Sequence, residues 1–385
     1  MNHKILASLA FLLSGAVTGF TGTPTHESLH VIEPITHGNL TIFPIVGGTD
    51  YDTSHILTLD EGTKAGTVIV TEQGSLRGLV RRPQQASRGS GAQVNQLVLV
   101  NNSDRPLLLL AGEIVTGGKQ DRIIGVDRLV PPKSDPIDLS VFCVEPGRWT
   151  GRSDQFASMH SQMAQPSVRV PAMAAKNQQQ VWDRVASSRS TVEVTAAAPP
   201  VSADSADLST SYAQASGGND LSHATRSTTS YAATMAIPQV KAKIDSVAGN
   251  YDAVLQQLRK SGAKGVVVAI NGELVWADLF ASNDLLLRYW QKLVRSYAAE
   301  SLTTVGTQKH VNEKDAEAFL DRMSGNREVI ETDPGVFRRA EITGDNYKVF
   351  TLTELMSKTE FNVHTAKMLY DKEARVDFPR YDVVR

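Results

Sequence analysis

Cysteine is almost absent from this sequence of 385 residues, since Cys143 is the only one. A single cysteine excludes an intramolecular disulfide and also excludes metal sites that are built from cysteine pairs. A protein without disulfides depends on its core for stability, and a chain of this length can bury a large core. The thiol of Cys143 is then either a core side chain or a functional group.

An excess of charge of one sign is also absent. The chain contains 39 Lys and Arg against 41 Asp and Glu, which gives a formal net charge of −2. No basic block is present, although such a block is the usual electrostatic footprint of a nucleic-acid-binding protein. We therefore expect no nucleic-acid partner. Aromatic residues are scarce, at 6%, but the hydrophobic content of 41% is sufficient for a globular fold.

The N-terminus lacks a hydrophobic run long enough to span a membrane, which takes roughly 20 apolar residues. The apolar run Ile5–Val17 is shorter and is interrupted by Ser8 and Ser14. It follows the positive charge of Lys4, and small residues near its end suit a signal peptidase, a pattern typical of a secretory signal. We predict a secreted or periplasmic protein that loses residues 1–22 and keeps no stable membrane anchor.

The rest of the chain divides by composition into four parts. Short apolar runs separated by turn residues predict strands in the first part, arranged as a sandwich or a barrel-like unit. Ser, Ala and Thr dominate a middle stretch with few large apolar residues, which favours a flexible insertion. The predicted parts are a β-rich first half over 23–186, the insertion over 187–230, a helix, hairpin and helix over 231–368, and a C-terminal tail over 369–385.

The third part shows helical periodicity and one clear hairpin. Apolar residues recur at spacings of four and three from Val240 to Leu258, interrupted only by Gly249, which predicts a helix. Two apolar runs flank Asn271–Gly272, a dipeptide that favours a tight hairpin turn, and Ser282 is suited to cap the helix that follows. The expected fold class is α+β, with a β-rich first half packed against helices and a hairpin–helix unit completing it.

The segment Gly112–Gln120 has the composition of a phosphate-binding loop but not its spacing. Its glycines are one position out of register, and Gln120 replaces the hydroxyl residue that would hold magnesium. The glycines still expose backbone N–H groups that can bind an anion, with positive charge from Lys119 and Arg122. The alternative is that the glycines shape a bulge between two strands and the polar side chains are solvated.

Cys143 lies in an apolar strand, where alternation places its side chain on the same face as Val141 and Glu145. A buried thiol is the usual outcome for such a position. A nucleophilic thiol would require a base or a positive neighbour. Lys119, Arg122, Arg148 or His364 could supply it only if the fold brings them close.

Three acidic residues stand at the ends of apolar strands, namely Glu113, Glu145 and Asp278. Two carboxylates at a suitable separation can perform acid–base catalysis. Nearby, Arg148 and Trp149 could clamp a planar or anionic ligand and stack on it. In the alternative interpretation, Trp149 is buried as a cap on the core and Arg148 pairs with Glu145.

His26–His30 matches the zinc-binding pattern H-E-x-x-H, which requires a helix to bring both imidazoles to one face. The match runs directly into the segment Val31–Pro34, which is extended by composition. No segment that would supply a third ligand follows. We therefore predict no metal site.

Three segments together resemble the ADP-ribosylglycohydrolase/rhodanese/phosphatase-associated protein (ARPP) domain family. They read VNQLVLVNNSDRPLLLLAGEIVTGGKQDR, FCVEPGRW and GVVVAINGELVWADLFASNDLLLRYWQKLVRSYA, within a resemblance that extends from about residue 29 to about residue 367. The family name refers to neighbouring domains that process ADP-ribose, sulfur or phosphate, and it implies no single reaction. The motif positions that the resemblance implies are Glu113, Gly117, Gly118, Lys119, Gln120, Arg122, Cys143, Glu145, Arg148 and Trp149, with Asp278 as a further candidate.

The leading hypothesis is an exported binding module that holds a polar or anionic small ligand between the loop at 112–122 and the strand end at 145–149. The rival hypotheses are a hydrolase with Glu113 or Glu145 as base, a thiol enzyme with Cys143 as nucleophile, and a structural or interaction protein of the cell envelope. The sequence identifies no cofactor and no oligomeric state. The ligand-binding candidates are Glu113, Lys119, Gln120, Arg122, Arg148 and Trp149.

Overall fold

The structure is a computed structural model that describes residues 29–72, 96–197, 221, 223–249, 251–322 and 324–370. The predicted signal peptide and most of the predicted tail lie outside these residues. The strands are β1 (His30–Val31), β2 (Ile35–His37), β3 (Leu40–Val46), β4 (Leu57–Thr58), β5 (Val68–Glu72), β6 (Gln96–Asn101), β7 (Leu107–Leu109), β8 (Glu113–Gly117), β9 (Arg122–Ile124), β10 (Arg128–Val130), β11 (Ile137–Cys143), β12 (Gln155–Met163), β13 (Gly265–Ile270), β14 (Glu273–Phe280), β15 (Asn326–Asp333), β16 (Phe337–Thr343), β17 (Tyr347–Glu354) and β18 (Phe361–Leu369).

The helices and strands together make an α+β fold, as the sequence predicts. The helices are α1 (Leu59–Lys64), α2 (Pro166–Val170), α3 (Gln178–Ala197), α4 (Tyr231–Ala236), α5 (Pro238–Ala248), α6 (Tyr251–Ser261), α7 (Asn283–Thr303) and α8 (Glu313–Asp321), with a π-helical turn over Pro171–Ala175. Within the described ranges, none of these helices combines the length and the apolar character that a membrane-spanning helix needs.

Six strands form a closed barrel in the order β11-β6-β5-β12-β8-β9, with β9 paired back to β11. Alternate residues of these strands fill its interior, among them Leu99, Val115 and Val141. The intervening residues Phe142 and Val144 face outward into the main core. The alternation in the sequence therefore separates the two faces of β11 correctly.

A nine-stranded sheet follows the order β1-β3-β13-β14-β18-β17-β16-β15, with β2 also paired to β3, and a small separate sheet has the order β10-β7-β4. The hairpin of β13 and β14 forms at Asn271–Gly272 as predicted. Asn271 adopts a φ of 52° and Gly272 a φ of 76°, the positive values that this tight turn requires. One face of the large sheet carries α8, whose Phe319 belongs to a small core with Phe43 and Val267.

Helix α7 connects the barrel to the large sheet. Ser282 caps it as predicted, since its Oγ accepts a hydrogen bond from the Leu285 amide at 3.0 Å. The helix packs against β12 of the barrel and against β13 and β14 of the sheet. Polar side chains on α7 fix its position: the Tyr289 hydroxyl donates to the Leu108 carbonyl at 3.1 Å, and Ser296 donates to the Ala164 carbonyl at 2.8 Å.

Two helix boundaries differ from the prediction. Helix α3 continues to Ala197, so the expectation of a flexible insertion from residue 187 is wrong for 187–197. Val192 is buried, which shows that the apolar stripe of α3 continues into the Ser- and Ala-rich composition. The helix expected to run through Gly249 is two helices, α5 and α6, because Gly249 adopts a φ of 71° and ends α5. Residues 198–220 of the insertion lie outside the described residues.

Candidate functional site

One end of the barrel collects most of the residues that the sequence singles out. We call this end the barrel mouth. It consists of Glu72 at the end of β5, residues 117–122 from the end of β8 to the start of β9, and residues 143–152 from the end of β11 onward. Pairing of Arg122 with Cys143 brings the second and third of these segments together. The candidate residues found here are Lys119, Gln120, Arg122, Cys143, Glu145, Arg148 and Trp149.

Arg122 is fully buried at the barrel mouth. Its backbone pairs with Cys143 and Val115, and alternation with Ile124 directs its side chain into the barrel. Its Nη1 lies 3.5 Å from the Asp121 carbonyl oxygen. Among the described residues, its Nε and Nη2 have no hydrogen-bond partner. These two nitrogens form one edge of the guanidinium, the fork that can bind two oxygens of a carboxylate or phosphate.

Glu72 lies close enough to Arg122 to influence its pKa. Burial lowers the pKa of Arg122 below its ordinary value, although the nearby Cys143 and Glu72 act in the opposite direction. Oε1 of Glu72 accepts a hydrogen bond from the Lys119 amide at 3.0 Å. Its Oε2 is buried and accepts none from the part of the chain that the structure describes. The barrel mouth therefore contains a cation and an anion that both retain hydrogen-bonding capacity.

Arg148, in contrast, holds the loops of the mouth together. Its Nη2 lies 2.6 Å from Glu145 Oε2, and its Nη1 donates to the carbonyls of Gly118 at 2.9 Å and Thr150 at 2.6 Å. Only Nε lacks a hydrogen-bond partner within the described ranges. These bonds join the β8–β9 connection to the chain after β11, so Arg148 holds these two segments of the mouth together.

Asp121 and Glu145 form a carboxylate pair at the rim of the mouth. The Asp121 amide donates to Glu145 Oε2 at 3.0 Å, and Ser230 Oγ donates to Asp121 Oδ2 at 2.7 Å. Burial raises the pKa of Asp121. Burial alone would also raise the pKa of Glu145, but the hydrogen bond from Arg148 helps to hold it below its ordinary value. Opposite shifts can divide acid and base roles, yet both carboxylates here are engaged in bonds between the loops.

Cys143 is buried, and alternation with Val141 places its side chain on the inner face of β11. The side-chain amide of Gln178 on α3 accepts from the Cys143 amide and donates to its carbonyl, each at 2.9 Å. Its Sγ accepts a hydrogen bond from the Glu145 amide at 3.4 Å. Burial raises the pKa of the thiol, which favours the neutral and less reactive form. Nearby, Gln120 Nε2 donates to the Glu145 carbonyl at 3.0 Å and so also links the loops.

Lys119 and Trp149 form the outer surface of the mouth. Lys119 Nζ lies 5.1 Å from the centroid of the Trp149 ring, a cation–π contact. Trp149 is 45% exposed, so the interpretation of this residue as a buried cap is wrong, whereas the pairing of Arg148 with Glu145 is observed. The Nη2 of Arg152 lies 3.3 Å from Glu145 Oε1, and more than half of the Arg152 side chain is exposed.

Glu113 lies at the opposite end of β8 from the barrel mouth. Its Oε1 is 2.5 Å from Lys292 Nζ on α7, and its Oε2 accepts from the Leu110 amide at 2.8 Å. Lys292 also lies 2.8 Å from Asp60, which accepts a 2.5 Å hydrogen bond from Ser158. Burial raises the pKa of Glu113 despite the attraction of Lys292. The structure therefore does not bring Glu113 and Glu145 together.

Asp278 also lies away from the mouth, in a fully buried cluster that joins the loop before β10 to the large sheet. His364 Nε2 is 3.1 Å from Asp278 Oδ1, and His364 Nδ1 is 2.7 Å from Asp127 Oδ2. Arg169 Nη1 and the Tyr297 hydroxyl lie 3.4 Å and 2.5 Å from Asp278 Oδ2. Burial alone would lower the pKa of His364, but the two aspartates raise it to about 9. Reasoning from sequence missed this cluster, although polar residues within apolar runs signal it.

Metal-binding residues do not cluster in the described ranges, where no group of His, Cys, Asp or Glu is suited to hold a metal ion. His30 lies in strand β1. The first two residues of its H-E-x-x-H match, His26 and Glu27, lie outside the described residues.

Comparison with known proteins tests the resemblance seen in the motifs. No curated protein and no solved structure matches the chain. A family model described as the ARG and Rhodanese-Phosphatase-superfamily-associated Protein domain, ARPP-1, matches residues 28–366. This range includes the barrel, the barrel mouth and α7. The chain therefore belongs to the ARPP-1 domain family.

Proposed function

We propose that the protein binds a small oxyanion, a carboxylate or a phosphate group, in the barrel mouth with Arg122 as its direct ligand. The observation that supports this is the open edge of the guanidinium, since Nε and Nη2 have no hydrogen-bond partner among the described residues. An oxyanion with two oxygens on that edge would form two charge-assisted hydrogen bonds.

The cost of burying a charge favours a ligand for Arg122. A buried cation whose donors are unused carries a large desolvation penalty, and local violations of this kind are concentrated at functional sites. A purely structural arginine would resemble Arg148, which bonds three carbonyls and two carboxylates. Arg122 has no comparable set of partners in the described part of the chain. An oxyanion would complete its hydrogen bonds.

Gly118 brings the backbone of the mouth close to Glu72 and to the Phe156 ring. Gly118 adopts a φ of 47°, and a Cβ at this position would lie 2.7 Å from Glu72 Oε1 and would collide with the Phe156 ring. A side chain therefore cannot be accommodated there without displacing the lining of the mouth. The backbone instead packs directly against Glu72, and the amide of Lys119 binds the Glu72 carboxylate, so this loop already presents a backbone N–H to an anionic oxygen.

The geometry favours binding over catalysis by the predicted acids and thiol. Glu113 pairs with Lys292 at the far end of β8, and Glu145 pairs with Arg148 and Arg152. Burial raises the pKa of the Cys143 thiol. We therefore prefer binding to catalysis by Glu113, Glu145 or Cys143.

Isothermal titration with phosphate, sulfate and acetate at constant ionic strength tests the proposal. We expect at least one of these anions to bind the wild-type protein saturably and to raise its melting temperature by mass action. Arg122→Lys keeps the charge but removes the fork, so we expect it to weaken binding at least tenfold. Arg338→Lys is the matched control, because Arg338 on β16 pairs with Glu360 at a partly exposed site away from the mouth.

Two results would contradict the proposal. One is the absence of binding by every anion in the series. The other is binding that Arg122→Lys and Arg338→Lys leave equally intact. Circular dichroism of both variants checks that a loss of binding does not come from a loss of fold.

We also propose that the protein is exported and meets its ligand outside the cytoplasm. The support is the charged, apolar and small-residue pattern of residues 1–22. Cell fractionation and mass determination of the mature N-terminus test this proposal. We expect a chain that begins near residue 23 in the exported fraction, and a deletion of residues 2–22 should retain the protein in the cytoplasm. A full-length chain in the cytoplasm would contradict the proposal.

A further inference from the structure

Trp149 is the large apolar side chain that the barrel mouth leaves at its surface, with 45% of it exposed. The preceding residue, Arg148, is fastened to the Gly118 and Thr150 carbonyls and to Glu145. The backbone that carries the indole is therefore held in place. An exposed aromatic ring on a fixed backbone provides a preformed surface for stacking, with little conformational entropy to lose.

Lys119 connects this ring to the buried charges. Its ammonium lies 5.1 Å from the Trp149 ring centroid, and its amide donates to Glu72 Oε1 at 3.0 Å. Glu72 in turn lies close enough to Arg122 to offset part of the lowering that burial causes in the Arg122 pKa. The connection between β8 and β9 therefore carries Lys119, which contacts the exposed Trp149 ring of the segment after β11, and it ends at the buried Arg122, whose Nε and Nη2 have no hydrogen-bond partner among the described residues.

We propose that the oxyanion bound at Arg122 carries a planar aromatic or heteroaromatic group that stacks on Trp149. This proposal rests on the proposed function, since Arg122 supplies the charge recognition and Trp149 supplies the selection of the ring. Lys119 contributes positive charge beside the stacked ring. A ligand of this class uses both features of the mouth, whereas a bare inorganic anion would use only Arg122.

Matched ligand pairs test the proposal with either type of headgroup. Phenyl phosphate is compared with cyclohexyl phosphate, and benzoate with cyclohexanecarboxylate, because each pair shares charge and approximate size but differs in the π face. Isothermal titration should give at least roughly fivefold tighter binding for the aromatic member, the range expected for stacking. Trp149→Leu should remove this difference, while Val329→Leu, a change at another exposed apolar residue, should preserve it.

The outcomes separate this proposal from the proposed function. Equal affinities within each pair, with binding that still depends on Arg122, would overturn the stacking proposal alone. Trp149→Leu that weakens aromatic and alicyclic ligands by the same factor would overturn it as well, because Trp149 would then supply only apolar contact. Absence of binding by all four ligands, or binding that Arg122→Lys leaves unchanged, would overturn both proposals.

Discussion

Lys292 Nζ lies 2.5 Å from Glu113 Oε1, and both side chains are buried. The two residues are 179 positions apart in the chain, and their contact joins α7 to the start of β8. Asp60 shares the same ammonium at 2.8 Å, so one buried cation contacts two carboxyl groups. Glu113 therefore helps to hold the barrel against α7.

Removal of Lys292 should destabilise the protein strongly. Lys292→Met leaves the buried Glu113 without its cation, and breaking a buried ion pair from one side costs about 3–5 kcal/mol. Urea unfolding measures the change in the free energy of unfolding. The control is Lys309→Met, because Lys309 forms an exposed 2.5 Å pair with Glu273 and should cost less than about 1 kcal/mol. Equal costs for the two variants would refute the structural role of Lys292.

The buried His364 should make stability fall at alkaline pH. Its folded pKa of about 9 lies above the ordinary value of 6.5 because, against the effect of burial, Asp127 and Asp278 favour the charged imidazolium. The stability that His364 contributes is therefore complete below pH 6.5 and is lost as the pH rises through about 9. The shift corresponds to a contribution on the order of 3 kcal/mol.

Urea unfolding from pH 6 to pH 10 tests the role of His364. We expect His364→Gln to be less stable than wild type at pH 6 and to lose most of the alkaline decline. His37→Gln, a change at an exposed histidine of β2, should follow the wild-type curve. The same alkaline decline in wild type and His364→Gln would assign it to other groups.

The sequence predicts the local features of this fold well. Alternation separates the faces of β11, Asn271–Gly272 predicts the hairpin, and Ser282 predicts the start of α7. Each of these depends on backbone conformation or side-chain period within a few residues. Composition alone did not predict that α3 continues to Ala197; the buried Val192 shows that packing of one face continues into the Ser- and Ala-rich sequence.

The candidate site was predictable as a region but not as a set of roles. Motif spacing predicts that 117–122 and 143–152 contain the polar residues, and pairing of β9 with β11 brings these segments together. The role of each arginine depends on long-range partners that spacing does not specify. Arg148 donates a hydrogen bond to the Gly118 carbonyl, 30 positions away in the chain, and Glu113 pairs with Lys292 on α7. For the same reason, sequence spacing does not predict the cluster of His364 with Asp127 and Asp278.

Gly118 should be essential for the shape of the mouth. Its φ is 47°, and a Cβ would collide with Phe156 and lie 2.7 Å from Glu72 Oε1. Gly118→Ala should therefore cost about 1–2 kcal/mol for the backbone conformation and roughly 1–3 kcal/mol more for overpacking. Gly147→Ala is the control, since Gly147 also has a positive φ, 90°, but no atom within 4 Å of the added Cβ. Denaturant unfolding should show a larger loss for Gly118→Ala; similar losses would show that the mouth can relax around a side chain.

Cys143 should behave as an inert core thiol, which decides between binding and thiol chemistry at the mouth. Burial raises its pKa, and neutral thiols react slowly with alkylating agents. We expect iodoacetamide to modify native protein at pH 7.5 far more slowly than protein unfolded in urea, with mass spectrometry as the measurement. We also expect Cys143→Ala to retain oxyanion affinity within about twofold, because removal of a neutral thiol leaves the charge of the Arg122 fork in place. Rapid alkylation of the folded protein that a bound anion suppresses would instead show a reactive thiol beside Arg122 and would restore the thiol-enzyme hypothesis.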